Sequence, residues 1–146
     1  MPVKKVKIAL VSQHIYLNKV ARFLIVLGEL LSKTGKYEVY LVNEVESKEL
    51  DFKYYKKIKR HIIPKNLQSL KDFDDEYDID IYITNNDLSN IIDIYHSFGK
   101  KVIGIFHGVF MSCVFQNETI VYRSFQFYPK LDAFVHIIPD DYWIYK

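Results

Sequence analysis

A single cysteine, Cys113, occurs in the whole chain. No internal disulfide can form, which suits a reducing compartment. No apolar run approaches the roughly 20 residues that a membrane-spanning helix needs. The start, Met1 to Lys7, is basic like the first segment of a secretory signal. The apolar stretch after it, Ile8–Val11, is too short for one, and Ser12-Gln13-His14 ends it. A cytoplasmic location is the expectation, so the sequon Asn117-Glu118-Thr119 is read as chance. Charge of one sign is scarce too: 20 Lys and Arg against 18 Asp and Glu leave +2. That is too little for the strong basic face of a nucleic-acid binder. Ligand signatures are missing where they would sit. The first apolar strand is not followed by Gly-x-Gly-x-x-Gly, and no Gly-x-x-x-x-Gly-Lys-Ser/Thr occurs, which argues against dinucleotide and triphosphate loops. A receiver domain would need an acidic pair where Ser12 and Gln13 stand. The histidines, His14, His61, His96, His107 and His136, have neither Cys partners nor His-x-x-x-His spacing, so no metal site is expected.

What is present is a chain of 146 residues, 49% hydrophobic and 26% charged, the profile of one globular domain able to bury a core. Val6–Ser12 reads as a strand covered on both faces, because its apolar run is nearly continuous. Asn18 is a candidate N-cap for a helix over 19–33. Val20, Leu24, Leu27 and Leu31 share one face of it, and Phe23, Ile25 and Val26 make it apolar almost all round, which predicts a buried helix. Gly35 closes it, and 37–42 is the second strand of a right-handed parallel crossover.

Residues 44–60 read as a polar, basic connection, and 60–63 as a short strand stopped by Pro64. Residues 66–77 are weakly helical. A strand is expected over 80–84, then a helix capped by Asn86 or Asp87, with Leu88, Ile91, Ile92 and Tyr95 on its apolar face and Gly99 after its end. Strands are expected over 102–106 and 133–137. The aromatic-rich segment 109–131 is ambiguous between packing on the core and forming a sugar-stacking wall. A last helix after Pro139 would place Trp143, Ile144 and Tyr145 just before the chain stops, with its carbonyls uncapped. The expectation is that 1–146 is the first part of a longer protein. The resulting fold class is α/β: a single Rossmann-like domain with an open, mostly parallel twisted sheet and helices on both faces.

Such sheets bind ligands beyond the carboxyl ends of their strands. Ser12, Gln13 and His14 follow the first predicted strand. Thr84, Asn85, Asn86 and Asp87 follow the fourth, and His107 and Gly108 follow the strand Val102–Phe106. Asn-Asn-Asp before a helix is equally a cap, and a strand-end histidine is equally a structural residue. The run Lys53, Lys56, Lys57, Lys59 and Arg60 is either a solvated basic loop or a weak contact with an anionic membrane surface.

Lys7-Ile8-Ala9-Leu10-Val11-Ser12 and Val20-Ala21-Arg22-Phe23-Leu24, followed by Leu27, Leu30-Leu31, Gly35 and Val39, resemble the opening of GT-B glycosyltransferases. Asp80–Asn85 resembles the middle strand of that family. Lys101–Gly108 resembles its strand ending in His-Gly, and Phe134–Ile137 its exit toward the second domain. The nearest likeness is to the large retaining family 4. It implies an N-terminal, acceptor-side domain whose partner, a C-terminal domain of about 150–200 residues, holds a UDP- or GDP-sugar donor. This domain alone would carry no cofactor and be inactive. His107 would act in the cleft near the transferred sugar, as a base or a hydrogen-bond donor. Ser12, Gln13, His14, Asn85, Asn86, Asp87 and Gly108 would contact a sugar or glycan acceptor. The chain departs from the family in having no Gly-Gly after its first strand. A complete flavodoxin-like domain, serving as a binding or protein-interaction module without catalysis, is the competing expectation.

Overall fold

A computed structural model describes residues 3–12, 19–44, 58–85, 90–106 and 128–136. Strands β1 (Val6–Ser12), β2 (Tyr37–Asn43), β3 (Lys59–Ile62), β4 (Ile81–Asn85), β5 (Lys101–Phe106) and β6 (Ala133–His136) form one sheet in the order β3-β2-β1-β4-β5-β6. All five pairings are parallel. The fold class is therefore the expected Rossmann-like one. The chain builds outward from β1 to β3, then returns to place β4 on the other side of β1. No helix among the described residues is long and apolar enough to cross a membrane.

The period-2 alternation of the strands splits the core in two. Ala9, Val11, Tyr40, Val42, Tyr82 and Val102 face helices α2 (Leu67–Tyr77) and α3 (Ile91–Ser97) through Leu70, Phe73, Ile92 and Tyr95. Ile8, Leu10, Val39, Leu41, Ile83 and Ile105 face helix α1 (Lys19–Lys33) through Leu24 and Ile25. Gly28 lets α1 approach closely: a Cβ there would lie 2.7 Å from Ile58 Cδ1 and 2.9 Å from Leu10 Cδ1.

Three local expectations change. First, α1 is buried on one side only, since Val26 and Leu30 are 47% and 57% exposed. With the sheet on one side, an apolar residue on the outer face meets no second layer among the described residues. Second, α3 starts at Ile91 with Asn90 as N-cap and no side-chain cap bond, rather than at a cap formed by Asn86 or Asp87, which lie outside the described residues. Third, β3 starts one residue early and stops at Ile62. Helix α2 ends at Tyr77, as expected, and its cap Asp78 lies in the left-handed region at φ 50. The Asp78 N–H donates to Asp74 O at 2.7 Å, and its carboxylate pairs with Lys100 Nζ at 2.7 Å. A short polar side chain tolerates that conformation. Gly35 closes α1 as expected, at φ 71.

The amino ends of the strands are tied by charge. Asp132, just before β6, accepts from Val102 N and hydrogen-bonds His96 Nε2, both at 2.8 Å, while Lys101 Nζ lies 3.5 Å away. The Val102 N–H, then His96 and Lys101, hold the Asp132 carboxyl below its usual range. A depressed carboxylate stabilises the fold above its unfolded pKa, and that contribution fades as pH falls through the folded value. Asp132→Asn is therefore expected to be less stable than the natural chain at pH 7, with the gap closing as pH drops below 3.8. Urea midpoints measured from pH 7 to pH 2.5 check this, and a gap that stays constant sinks it.

Inside the α2–α3 layer the Asp74 carboxylate is buried and accepts from Tyr82 Oη at 2.6 Å. Burial, then that carboxylate, raises the pKa of the Tyr82 phenol, so it stays protonated and donates. Tyr82→Phe should cost about 1–3 kcal/mol, because it leaves a buried acceptor without its donor. Urea denaturation against the natural chain measures the loss.

Candidate functional site

The strand order reverses between β1 and β4, and open α/β sheets bind ligands at the carboxyl ends beside such a reversal. The buried polar residues gather there. Among the described residues, four polar or charged side chains are buried: Ser12, Asn43, Thr84 and Asp74. The first three stand at or one residue before the carboxyl ends of β1, β2 and β4. Ser12 pairs with Asn43 in the ladder, and Val11 pairs with Thr84. Polar groups inside an apolar sheet are costly to bury unless bonded, so three at one end mark it as different from the rest of the sheet.

Two connected features follow from the register. On the α1 face, the fully buried Asn43 amide donates from Nδ2 to Ser12 O at 3.3 Å and accepts at Oδ1 from Arg60 Nε at 3.0 Å. Arg60 lies opposite Leu41, on the same face, and its long side chain extends toward the carboxyl end. On the α2–α3 face a small crevice is lined by Val11, Val42, Ile91 and Tyr95 together with Ser12, Glu44 and Lys65. Thr84, on that same face by its alternation with Tyr82, has Oγ1 buried without a hydrogen-bond partner.

Of the residues expected to act, Ser12 is placed as anticipated, buried at the end of β1. Asn85 ends β4, opposite Ile105. Gln13, His14, Asn86, Asp87, His107 and Gly108 lie outside the described residues, as do Lys53, Lys56 and Lys57. Their sequence neighbours Ser12, Asn85 and Phe106 end adjacent parallel strands at the same side of the sheet. Arg60, grouped by sequence with a basic surface run, is half-buried and bonded to Asn43. Asn43 ends β2 as Ser12 ends β1, each a polar residue closing an apolar run, and that pattern is the sequence signal for both. Among the described residues no group of three His, Cys, Asp or Glu could hold a metal ion. The His96–Asp132 pair sits at the amino end, away from the crevice.

No family model matches the chain, and no curated protein matches it. Solved structures do. UGT2 of Phytolacca americana, complexed with UDP-2fluoro-glucose and pterostilbene, matches at TM-score 0.56 and 11% identity, over 79% of this chain and 33% of that one. A UDP-glucosyltransferase from Polygonum tinctorium, capable of glucosylating indoxyl, matches at 0.54 and 14%, over 77% and 32%. A UGT transferase from Siraitia grosvenorii in complex with UDP matches at 0.52 and 14%, over 76% and 26%. The chain shares its fold with part of these glycosyltransferases. It spans about a quarter to a third of their length.

The orphaned hydroxyl gives a direct test of this end of the sheet. Thr84→Val keeps the shape and removes an unsatisfied buried group, so it should stabilise the ligand-free protein by about 1 kcal/mol. A loss of stability in a denaturant titration would show that the hydroxyl is already satisfied.

Proposed function

We propose that this chain forms the acceptor-side wall of a sugar-transfer cleft, working with a further domain that holds a UDP- or GDP-sugar. The observation that carries the reading is the gathering of Ser12, Asn43 and Thr84 at the carboxyl end beside the β1–β4 reversal. The fold shared with part of several UDP-sugar-dependent enzymes supports it. Sugar hydroxyls are read by fixed polar side chains on a rigid frame. The strand ends supply that frame, and Ser12, Gln13, His14, Asn85, Asn86 and Asp87 supply candidate contacts.

Transfer passes through an oxocarbenium-like centre while a nucleotide phosphate departs. The proposed residue nearest that chemistry is His107, one position beyond the end of β5. It would take the acceptor proton as a base or donate a hydrogen bond to the transferred sugar, and Gly108 beside it would leave room for the ring. Membership of the retaining family 4 is the finer form of the proposal. It rests on the strand and helix patterns, and the anomeric configuration of the product tests it.

Full-length protein should release UDP or GDP from a nucleotide sugar, and faster when an acceptor is present. His107→Ala should lower kcat by about a hundredfold or more. No nucleotide release across a panel of UDP- and GDP-sugars would overturn the proposal in favour of a non-catalytic binding module. Unchanged turnover in the variant would remove His107 from the chemistry.

A further inference from the structure

We propose that the groove between β3 and α2 binds a small organic cation, an alkylammonium group, through Asp72, Glu76 and the rings of His61 and Tyr77. The site is independent of the sugar-transfer reading. Its lining shares only Ile63 with the crevice at the carboxyl end.

Strand β3 ends the sheet order, so among the described residues no strand lies beyond it. Helix α2 runs beside that edge, and the two leave an open groove of about 330 Å³. Three packed rings form one wall. The His61 and Tyr77 centroids are 4.8 Å apart, those of Phe73 and Tyr77 4.9 Å, and those of His61 and Phe73 5.2 Å. Asp72 and Glu76 line the same groove, and among the described residues no Lys or Arg does. A concave surface of rings and carboxylates attracts a cation in two ways, through the ring quadrupole and through net charge.

The two carboxylates keep their charge. Asp72 accepts from Gln68 Nε2 at 2.7 Å, a neutral amide. Beside Glu76 stands the Tyr77 phenol, whose pKa is raised by burial and then by that carboxylate, so it stays neutral. Lys71, the single basic residue of α2, pairs with Asp75 at 3.2 Å and lies over the Phe98 ring. Asp74 is buried on the core side with Tyr82.

This placement works against the helix. Asp72 and Glu76 are four positions apart, so two like charges share one face and repel. Glu76 lies in the last turn of α2, which has no basic residue, at the end where the helix dipole disfavours anions. A cation seated between the carboxylates relieves both penalties. The bland alternative is a solvated acidic face, which any counter-ion screens without preference or saturation.

Amide shifts in two-dimensional NMR, titrated with tetramethylammonium chloride against sodium chloride at equal ionic strength, separate the two readings. Saturable changes should appear over 61–64 and 69–77, with millimolar affinity, and sodium should not reproduce them. The double variant Asp72→Asn, Glu76→Gln should weaken binding by about tenfold. Both positions are exposed, so the core is untouched, and circular dichroism verifies folding. Without the cation its Tm should be no lower than that of the natural chain, because a like-charge pair is gone.

Butylammonium, whose ammonium head donates hydrogen bonds, then divides the recognition. Tighter binding than tetramethylammonium assigns the larger share to the carboxylates, and weaker binding assigns it to the rings. Unsaturable shifts equal to those with sodium in the natural chain overturn the inference, and so does undiminished binding in the double variant. A lower Tm in the double variant overturns it too, since the carboxylates would then serve the fold.

Discussion

The structure depends on the pairing of β1 with two neighbours at once. Its seven residues pair with β2 along their whole length and with β4 over four positions. A strand so enclosed has no edge to solvate, and both its faces are covered, so Ile8 to Val11 are all buried. Burial on two faces allows no alternation of polar and apolar residues until the strand ends. Polar chemistry is therefore pushed to the ends of β1, and the same holds for β2 and β4.

The two ends of the sheet use their polar groups differently. At the amino end, charged side chains tie to one another or to neutral partners: Lys100 and Lys101 to Asp78 and Asp132, Asp132 also to His96, and Lys7 Nζ to Tyr77 O. These contacts close local geometry and are partly solvated, so each adds little to stability alone. At the carboxyl end the polar groups are more deeply buried, and they include a hydroxyl without a partner and an amide committed to holding an arginine. The proposed binding role of the carboxyl end rests on that contrast.

The fold was largely legible from the chain. Continuous apolar runs bounded by polar residues located β1, β2, β4 and β5, and glycine after a periodic segment located the end of α1. Less was legible where local chemistry offered two equivalent choices. Asn86 and Asp87 are plausible caps by residue type, yet α3 starts at Ile91, where Ile91, Ile92 and Tyr95 pack on the sheet. Asp78 in a left-handed cap has no propensity signal, since the backbone there is set by the Asp74 carbonyl and by Lys100. Val26 and Leu30 look like core residues in sequence and are exposed, because an apolar side chain is buried only where a second layer covers it.

For the candidate site, the chain by itself determined which residues end apolar runs, and so named Ser12 and Asn85 as strand-end polar groups. It could not join Arg60 to Asn43 and Ser12. They are 17 and 31 residues apart in their bonded pairs, and the sequence grouped Arg60 with its basic neighbours. Tertiary structure decided that grouping, through the parallel register that brings Leu41 beside Arg60 and Ser12 beside Asn43. Sequence patterns report which face a side chain takes, because that depends on local periodicity. Which strands lie side by side depends on crossover connections and on burial summed over the whole sheet, and no local pattern encodes that sum.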